Sequence, residues 1–267
     1  MLLSLNGRTV SYDLMGPETA PVVCMTHSLA SDSGMWAEQV PPLLRAGFRV
    51  LRIDMRGHGG SAPVAGDYTM GELAWDVADT LEALGIPRVH FIGLSIGGML
   101  GQAFALEHHA KLASAIWCDT LPASPAGGSE VWQQRVDTVR NANSLQPLAD
   151  PTIERWLTDA VKTQRSGRWK QIRETIIGTT PAGYLGCVAA IRDFNFVGRL
   201  PALRVPVLVI CGADDAGTPA TENKRIANLI PGARYEEIAN ARHFPNVEHP
   251  DTFNRIMIEW LNARMRG

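Results

Sequence analysis

Five short apolar runs do most to fix what this chain can become. Residues 21–26 (PVVCMT), 48–54 (FRVLRID), 88–94 (RVHFIGL), 113–119 (ASAIWCD) and 205–212 (VPVLVICG) are mostly apolar, are too short for helices, and are bounded by Gly, Pro or polar residues. A strand apolar on both sides must be covered on both faces, which is the situation of a parallel sheet between layers of helix. Helical spacing of apolar residues in 70–84 and 99–109 supplies such covers, and the closing DTFNRIMIEWLNARM puts Phe253, Ile256, Trp260 and Leu261 on one face. At the other end, LLSLNGRTVSYDL reads as a hairpin turning through Asn6-Gly7. The expectation is an α/β sheet with an antiparallel start.

Residues 122–198 interrupt the alternation. No strand-like run occurs there, while helical patterns, Gly127-Gly128 and three of the seven tryptophans do. Read as a helical insertion, this tract divides the chain into a core segment 1–121, a cap 122–198 and a second core segment 199–267. The cap holds nine Lys or Arg against seven Asp or Glu, a net +2, so the remainder carries −4. Over the carboxyl edge of the sheet it would cover the crevice in which open α/β sheets bind ligands.

Composition excludes several classes of partner. With 267 residues, a net charge of −2 and the two signs interleaved, the chain offers no basic stripe for a nucleic acid. The N-terminus has neither a basic n-region nor a long apolar h-region, and nowhere do eighteen apolar residues run together. A cytoplasmic protein with no membrane partner is expected. Cys24, Cys118 and Cys211 lie in apolar runs and none of the four cysteines has CxxC spacing, the pattern of buried reduced thiols. No histidine pair at metal spacing is present, so neither a metal nor another cofactor is expected.

The chemistry starts at VHFIGLSIGGML, residues 89–100. A strand that passes into a helix within a few residues forces the turn residue into a strained conformation, which only small neighbours permit. Gly93, Gly97 and Gly98 are those neighbours, and Ser95 stands between them. The turn lifts the hydroxyl above the sheet edge, where the next helix presents unpaired N–H groups and its positive dipole end to developing negative charge. A G-x-S-x-G match alone is weak in a chain with 25 glycines. The strand before it and the helix after it make Ser95 a candidate nucleophile.

A nucleophile on such a turn takes its acid and its histidine later in the chain, in that order. VPVLVICGADDAGTP supplies the acid, with Asp215, three residues beyond Gly212, preferred to Asp214. Asp119, at the end of the 113–119 run, is a second alternative. YEEIANARHFPNVEHP supplies His243. The other histidines fall elsewhere: His90 in a strand, His108 and His109 at a helix end where a cationic ring suits the dipole, His58 in DMRGHGGS, and His249 just before the last helix. The segment VCMTHSLASDSGMW turns sharply after a buried run, so the backbone N–H of Leu29 is expected to converge with that of Ile96 as an oxyanion hole. A histidine base predicts activity that falls on the acid side of neutrality.

Taken together, THSL, DMRGHGGS, GLSIGGMLGQ, GADDAGTP and ARHFPNVEHP resemble the α/β-hydrolase superfamily over nearly the whole chain. The resemblance implies the α/β-hydrolase fold, a mostly parallel eight-stranded sheet flanked by helices with a helical cap inserted after strand 6. Within the superfamily, HSLASDSGMW, GLSIGGMLGQ and the cap segment SEVWQQR resemble the 3-oxoadipate enol-lactonase family, whose members open a small unsaturated lactone in bacterial aromatic degradation. Departures are Ser28, where the superfamily commonly has glycine, Ile96, where methionine is frequent, and a tract from Asp150 to Gly178 with little to align.

The resemblance implies a serine hydrolase working through an acyl-enzyme, with Ser95, Asp215 and His243 as its triad. Its substrate would be a small-molecule ester or lactone, 3-oxoadipate enol-lactone giving 3-oxoadipate, and the protein a monomer or homodimer. Such a lactone carries a free carboxylate. If SEVWQQR is helical, Trp132 and Arg135 share a face and pair an aromatic wall with a bidentate cation as substrate-binding residues. The same triad would serve a general carboxylesterase or another lactonase, a C–C bond hydrolase of aromatic ring-fission products, or a slow-turnover ligand sensor. Dehalogenase and epoxide-hydrolase chemistry needs an aspartate where this chain has Ser95.

Overall fold

The computed structural model describes residues 1–124 and 129–265, and Gly127-Gly128, noted in the tract expected to form a cap, lie outside the described residues. Among the described residues, eight strands form one sheet: β1 (Leu2–Leu5), β2 (Arg8–Met15), β3 (Val22–Thr26), β4 (Arg49–Ile53), β5 (Val89–Leu94), β6 (Leu112–Cys118), β7 (Val207–Gly212) and β8 (Arg234–Ile238). Their order across the sheet is β1-β2-β4-β3-β5-β6-β7-β8. β2 pairs antiparallel with both β1 and β4, and every other pairing is parallel. The opening hairpin turns at Asn6 (φ +49°) and Gly7 (φ +78°), the paired left-handed conformations that Asn-Gly adopts in a two-residue loop.

The helices are α1 (Val40–Arg45), α2 (Met70–Ala83), α3 (Ile96–Glu107), α4 (Ser129–Ala142), α5 (Gln146–Trp156), α6 (Asp159–Gln164), α7 (Ser166–Gly178), α8 (Pro181–Arg192), α9 (Ala220–Leu229), α10 (Pro245–Glu248) and α11 (Pro250–Met265). β3, β5 and β7 are buried at every position, as strands covered on both faces must be. Alternate residues of β5 point to opposite faces. Phe91 stacks on Phe104 of α3 at 5.5 Å, while His90 beside it meets Phe48 edge-on at 5.8 Å. All four cysteines are free and buried.

Helices α4 to α8 stand between β6 and β7, the position at which the sheet's rhythm breaks in the sequence. Two sets of bonds fasten them to the core. Glu38 accepts from Arg165 and Arg168 at the start of α7, at 2.7 and 2.9 Å. On the far side, Arg242 reaches the carbonyls of Glu154 and Leu157 at 2.6 and 2.9 Å, and Glu248 takes the N–H groups of both Arg242 and Thr158. No helix among the described residues is long and apolar enough to cross a membrane.

His108 corrects the dipole argument. Burial, with Lys111 adding to it, pushes its pKa down despite Glu107, because the ring is packed by Trp75 at 4.6 Å and Phe104 at 5.3 Å.

Candidate active site

The sharp turn after β5 is built as its glycines require. Ser95 sits at φ +59°, ψ −121°, between the last residue of β5 and the first of α3. A non-glycine residue there costs about 1–3 kcal/mol, so the surroundings must enforce it. They do so through the main chain. Ser95 N–H donates to the Cys118 carbonyl at 2.9 Å, and its own carbonyl accepts from Thr120 Oγ1 at 2.8 Å and from the N–H groups of Gly98 and Met99.

Close approach explains Gly97: a methyl group there would lie 2.6 Å from the carbonyl oxygen of Thr26 and 2.8 Å from that of His27. Backbone carbonyls have little room to retreat. Gly97→Ala is therefore expected to lower stability by about 1–3 kcal/mol. Urea denaturation checks this, and an unchanged midpoint would contradict it.

Asp215 and His243 come from loops after β7 and β8, 28 residues apart in sequence, and meet in a 2.8 Å hydrogen bond from His243 Nδ1 to Asp215 Oδ2. The Oδ1 atom of Asp215 accepts the N–H groups of Gly217 (2.8 Å) and Thr218 (3.2 Å), and Oδ2 also accepts the Thr218 hydroxyl at 2.5 Å. Burial alone would raise this carboxyl, but the charge and hydrogen bond of His243, then Thr218 and Gly217, hold it well below the usual carboxylate range. An ionised carboxylate only accepts, so Nδ1 carries a proton, and in the neutral imidazole the lone pair is then on Nε2. The histidine loop is itself fixed to α5: Trp156 stacks on Phe244 at 4.4 Å, and its carbonyl accepts the Phe244 N–H at 3.3 Å. Asp214 is exposed, with its N–H bound to the Ala241 carbonyl.

The loop after β3 is braced by two histidines. His27 Nε2 accepts the Met55 N–H at 2.9 Å, and His58 Nε2 accepts the Ala30 N–H at 3.1 Å. Among the described residues, no acceptor is bound by the N–H of Leu29 or by that of Ile96. Buried backbone donors without partners are rare. Ile96 follows Ser95 directly in the chain, and Leu29 lines the same cavity as Ser95.

His58 also has a consequence for stability. Burial, then the neighbouring His27, push its pKa down to about 3, against the Arg56 carbonyl and Asp54. An unfolded histidine titrates near 6.5. Below that pH the unfolded chain takes up a proton that the folded chain refuses, so this group's stabilising effect is complete above about 6.5 and declines toward about 3. The melting temperature should fall as pH is stepped from 7 to 4. A constant value would contradict the assignment.

Ser95, Asp215 and His243 line one cavity of about 330 Å³, together with Leu29 and, from the helices between β6 and β7, Trp132, Arg135, Arg155, Trp156 and Tyr184. Ser95 Oγ bonds to none of the described residues. Arg135 and Trp132 share a face of α4, with the guanidinium 4.7 Å from the indole centre. Arg155, not singled out in the sequence, enters from α5 and bonds Thr152 Oγ1 at 3.1 Å. Burial and the charge of Arg135 bring it down to about 10, which leaves it cationic at neutral pH. Among the described residues neither arginine pairs with a carboxylate. Burial pushes Tyr184 up to about 12, so its hydroxyl stays a neutral donor beside them.

A signal for Arg155 existed. Thr152, Arg155 and Trp156 stand at i, i+3 and i+4 of α5, a spacing that puts Thr152 beside both other side chains on one side of the helix. Of the remaining histidines, His90 bonds Ser114 Oγ at 2.8 Å and His249 bonds the Asn240 carbonyl at 2.9 Å, and neither lines the cavity that holds Ser95.

Comparison with known proteins identifies the family of the fold. The profile of the alpha/beta hydrolase fold family matches residues 21–250. A 3-oxoadipate enol-lactonase of Acinetobacter baylyi is 30% identical over 263 residues, covering 98% of this chain and 97% of its own. The crystal structure of the enol-lactonase from Burkholderia xenovorans superposes with a TM-score of 0.93 at 33% identity, over 98% of this chain and 100% of that one. A hydrolase from Pseudomonas aeruginosa gives 0.92, also at 33% identity, over 98% and 97%. Because the match runs from the first parallel strand to the start of α11, it takes in every parallel pairing of the sheet, and the chain belongs to the alpha/beta hydrolase fold family, close to its 3-oxoadipate enol-lactonases.

Proposed function

We propose that this protein is a serine hydrolase that opens a small carboxylate-bearing lactone through an acyl-enzyme, with 3-oxoadipate enol-lactone as the substrate and 3-oxoadipate as the product. The observation that carries this reading is the cavity itself, which gathers Ser95, the Asp215–His243 pair and two arginines that pair with no carboxylate among the described residues. In this reading the tract 122–198 acts as a cap between the core segments 1–121 and 199–267.

Ser95 Oγ attacks the lactone carbonyl and passes its proton to His243 Nε2, and Asp215 stabilises the imidazolium that forms. The amides of Leu29 and Ile96 receive the oxyanion, each worth about 3 kcal/mol of barrier. The ring C–O bond breaks, and the enol oxygen takes the proton from His243 while staying tethered to the acyl chain. Water then loses a proton to His243 as its oxygen bonds the acyl carbon, the C–Oγ bond breaks and Ser95 Oγ takes that proton back, which frees the acid, and the enol tautomerises to a ketone. The Ser95–His243 hydrogen bond is not formed in this structure, as is common before a substrate closes the geometry.

Arg135 and Arg155 would hold the remote carboxylate, with Trp132 and Trp156 as walls. Arg135→Ala and Arg155→Ala are each expected to raise KM for a carboxylate-bearing lactone by roughly 10- to 100-fold, the worth of a lost charge-assisted hydrogen bond, and to leave KM for a neutral aryl ester within about twofold. Equal losses on both substrates would remove the arginines from this role. The substrate itself is tested by a hydrolysis screen across enol lactones, saturated lactones and short aryl esters. The carboxylate-bearing enol lactone should give the highest kcat/KM, and a preference for neutral aryl esters would favour a general esterase.

A further inference from the structure

Asp119 is the residue after β6, and the triad proposed above makes no use of it. It adopts φ +44°, in the left-handed region that Asp and Asn enter more readily than most side chains, and it is fully buried. Its N–H donates to the Ile210 carbonyl at 3.0 Å, and its Oδ1 accepts the N–H of Gly212 at 2.8 Å. Its Oδ2 has no partner among the described residues. One oxygen of Asp119, one oxygen of Asp215 and one ring nitrogen of His243 lie within 4.8 Å of one another.

Two buried carboxylates this close repel strongly, because little water screens them. The donors around each decide which one carries the charge. Asp215 receives His243 Nδ1, the Thr218 hydroxyl and two amides, whereas Asp119 receives one amide and the weak donor of the Cys211 thiol. The other titratable groups around Asp119 are the thiols of Cys118 and Cys211 and, on β8, Tyr235 and Glu237. None of these can neutralise an anion there, Lys224 is paired with Glu237 at 2.9 Å, and the His243 ring is already bound to Asp215.

We propose that Asp119 is a positioning residue for the Asp215–His243 pair, a carboxylic acid that keeps its proton and directs it at the Asp215 carboxylate, so that the two acids form one buried unit with a single charge. This rests on the serine-hydrolase reading of the site. The proton supplies the missing partner of Oδ2 and moderates the pull of Asp215 on the imidazole. Burial, then the charge of Asp215, hold the Asp119 carboxyl well above the usual carboxylate range, in keeping with this arrangement. The same short turn anchors the nucleophile, since Cys118 and Thr120 hold the main chain of Ser95. One turn therefore sets both ends of the triad.

Two measurements test this. In the first, infrared difference spectra of 13C-aspartate-labelled protein at pH 7, taken without substrate, should contain the C=O stretch of a protonated carboxylic acid that is lost in Asp119→Asn. If the variant lacks no such band, Asp119 is ionised and the proposal fails, whatever the enzyme proves to hydrolyse. Conversely, a band that is present in a protein without hydrolase activity would fault the reading of the site and not the state of the carboxyl.

In the second, the acid limb of the kcat/KM profile is followed in two variants that suit the left-handed backbone. Asp119→Asn keeps a neutral donor toward Asp215, so its midpoint should stay where it is. Asp119→Gly removes the donor, so Asp215 should pull harder on the imidazolium and the midpoint should move up by about one unit. A midpoint lowered in Asp119→Asn would mean that a charge had been removed. An unmoved midpoint in Asp119→Gly would reduce Asp119 to an acceptor for Gly212, and either result overturns the proposal. If Asp119→Gly fails to fold, the infrared band and the Asp119→Asn midpoint still decide.

Discussion

Ser95→Ala is expected to lower kcat by about 10⁶-fold while the protein folds as before, the loss typical of removing a triad nucleophile. The expected survival of the fold follows from how the turn is held. Its strained backbone is fixed by main-chain bonds to Cys118, Gly98 and Met99 and by the Thr120 hydroxyl, and the Ser95 hydroxyl contributes none of them. Alanine keeps the Cβ that serine already carries at φ +59°, so no new strain enters. What remains should be the rate supported by the oxyanion donors and substrate binding alone. Steady-state hydrolysis beside a thermal melt checks both halves, and retained turnover would mean that another group attacks the substrate.

Asp215→Asn should cost about 10⁴-fold in kcat, with little change in KM for the lactone, as the corresponding change does in serine proteases. Asn offers an N–H to His243 Nδ1, which reverses the tautomer and points an N–H, in place of a lone pair, at the nucleophile. The imidazolium also loses the carboxylate that stabilises it. Asp214→Asn provides the contrast. That side chain is exposed, so its replacement should leave kcat within about twofold, as surface changes away from packed features usually do. If both variants kept full activity, the acid would lie elsewhere, with Asp119 the next candidate.

Much of this arrangement is written locally, and what is local is legible. The sheet can be read from runs such as VPVLVICG because a strand covered on both faces has to be apolar throughout. The turn at Ser95 shows in Gly93 and Gly97 because two backbones pass there with no room for a Cβ. Even the hairpin needs only Asn6-Gly7.

What escapes the sequence depends on which elements become neighbours. Arg155 follows Pro151, which sits inside α5, and helical spacing cannot say which face of that helix the core covers. The face is chosen by contacts far away in sequence, among them Trp156 on Phe244 and Arg242 on the carbonyls of Glu154 and Leu157. Asp119 is visible as a possible acid, but its closeness to Asp215 exists only because β6 and β7 lie side by side. Thr218, three residues from Asp215, is a polar loop residue in the sequence. In the fold it supplies two of the bonds that keep the carboxylate charged.

The central claim is that Ser95 is an activated nucleophile, and covalent labelling tests it most directly. A fluorophosphonate should modify the protein at one equivalent, with the adduct mapped to Ser95 by peptide mass spectrometry and hydrolysis lost in proportion to labelling. Modification of a different residue, or an unlabelled Ser95 in a protein that still hydrolyses its substrate, would contradict the account.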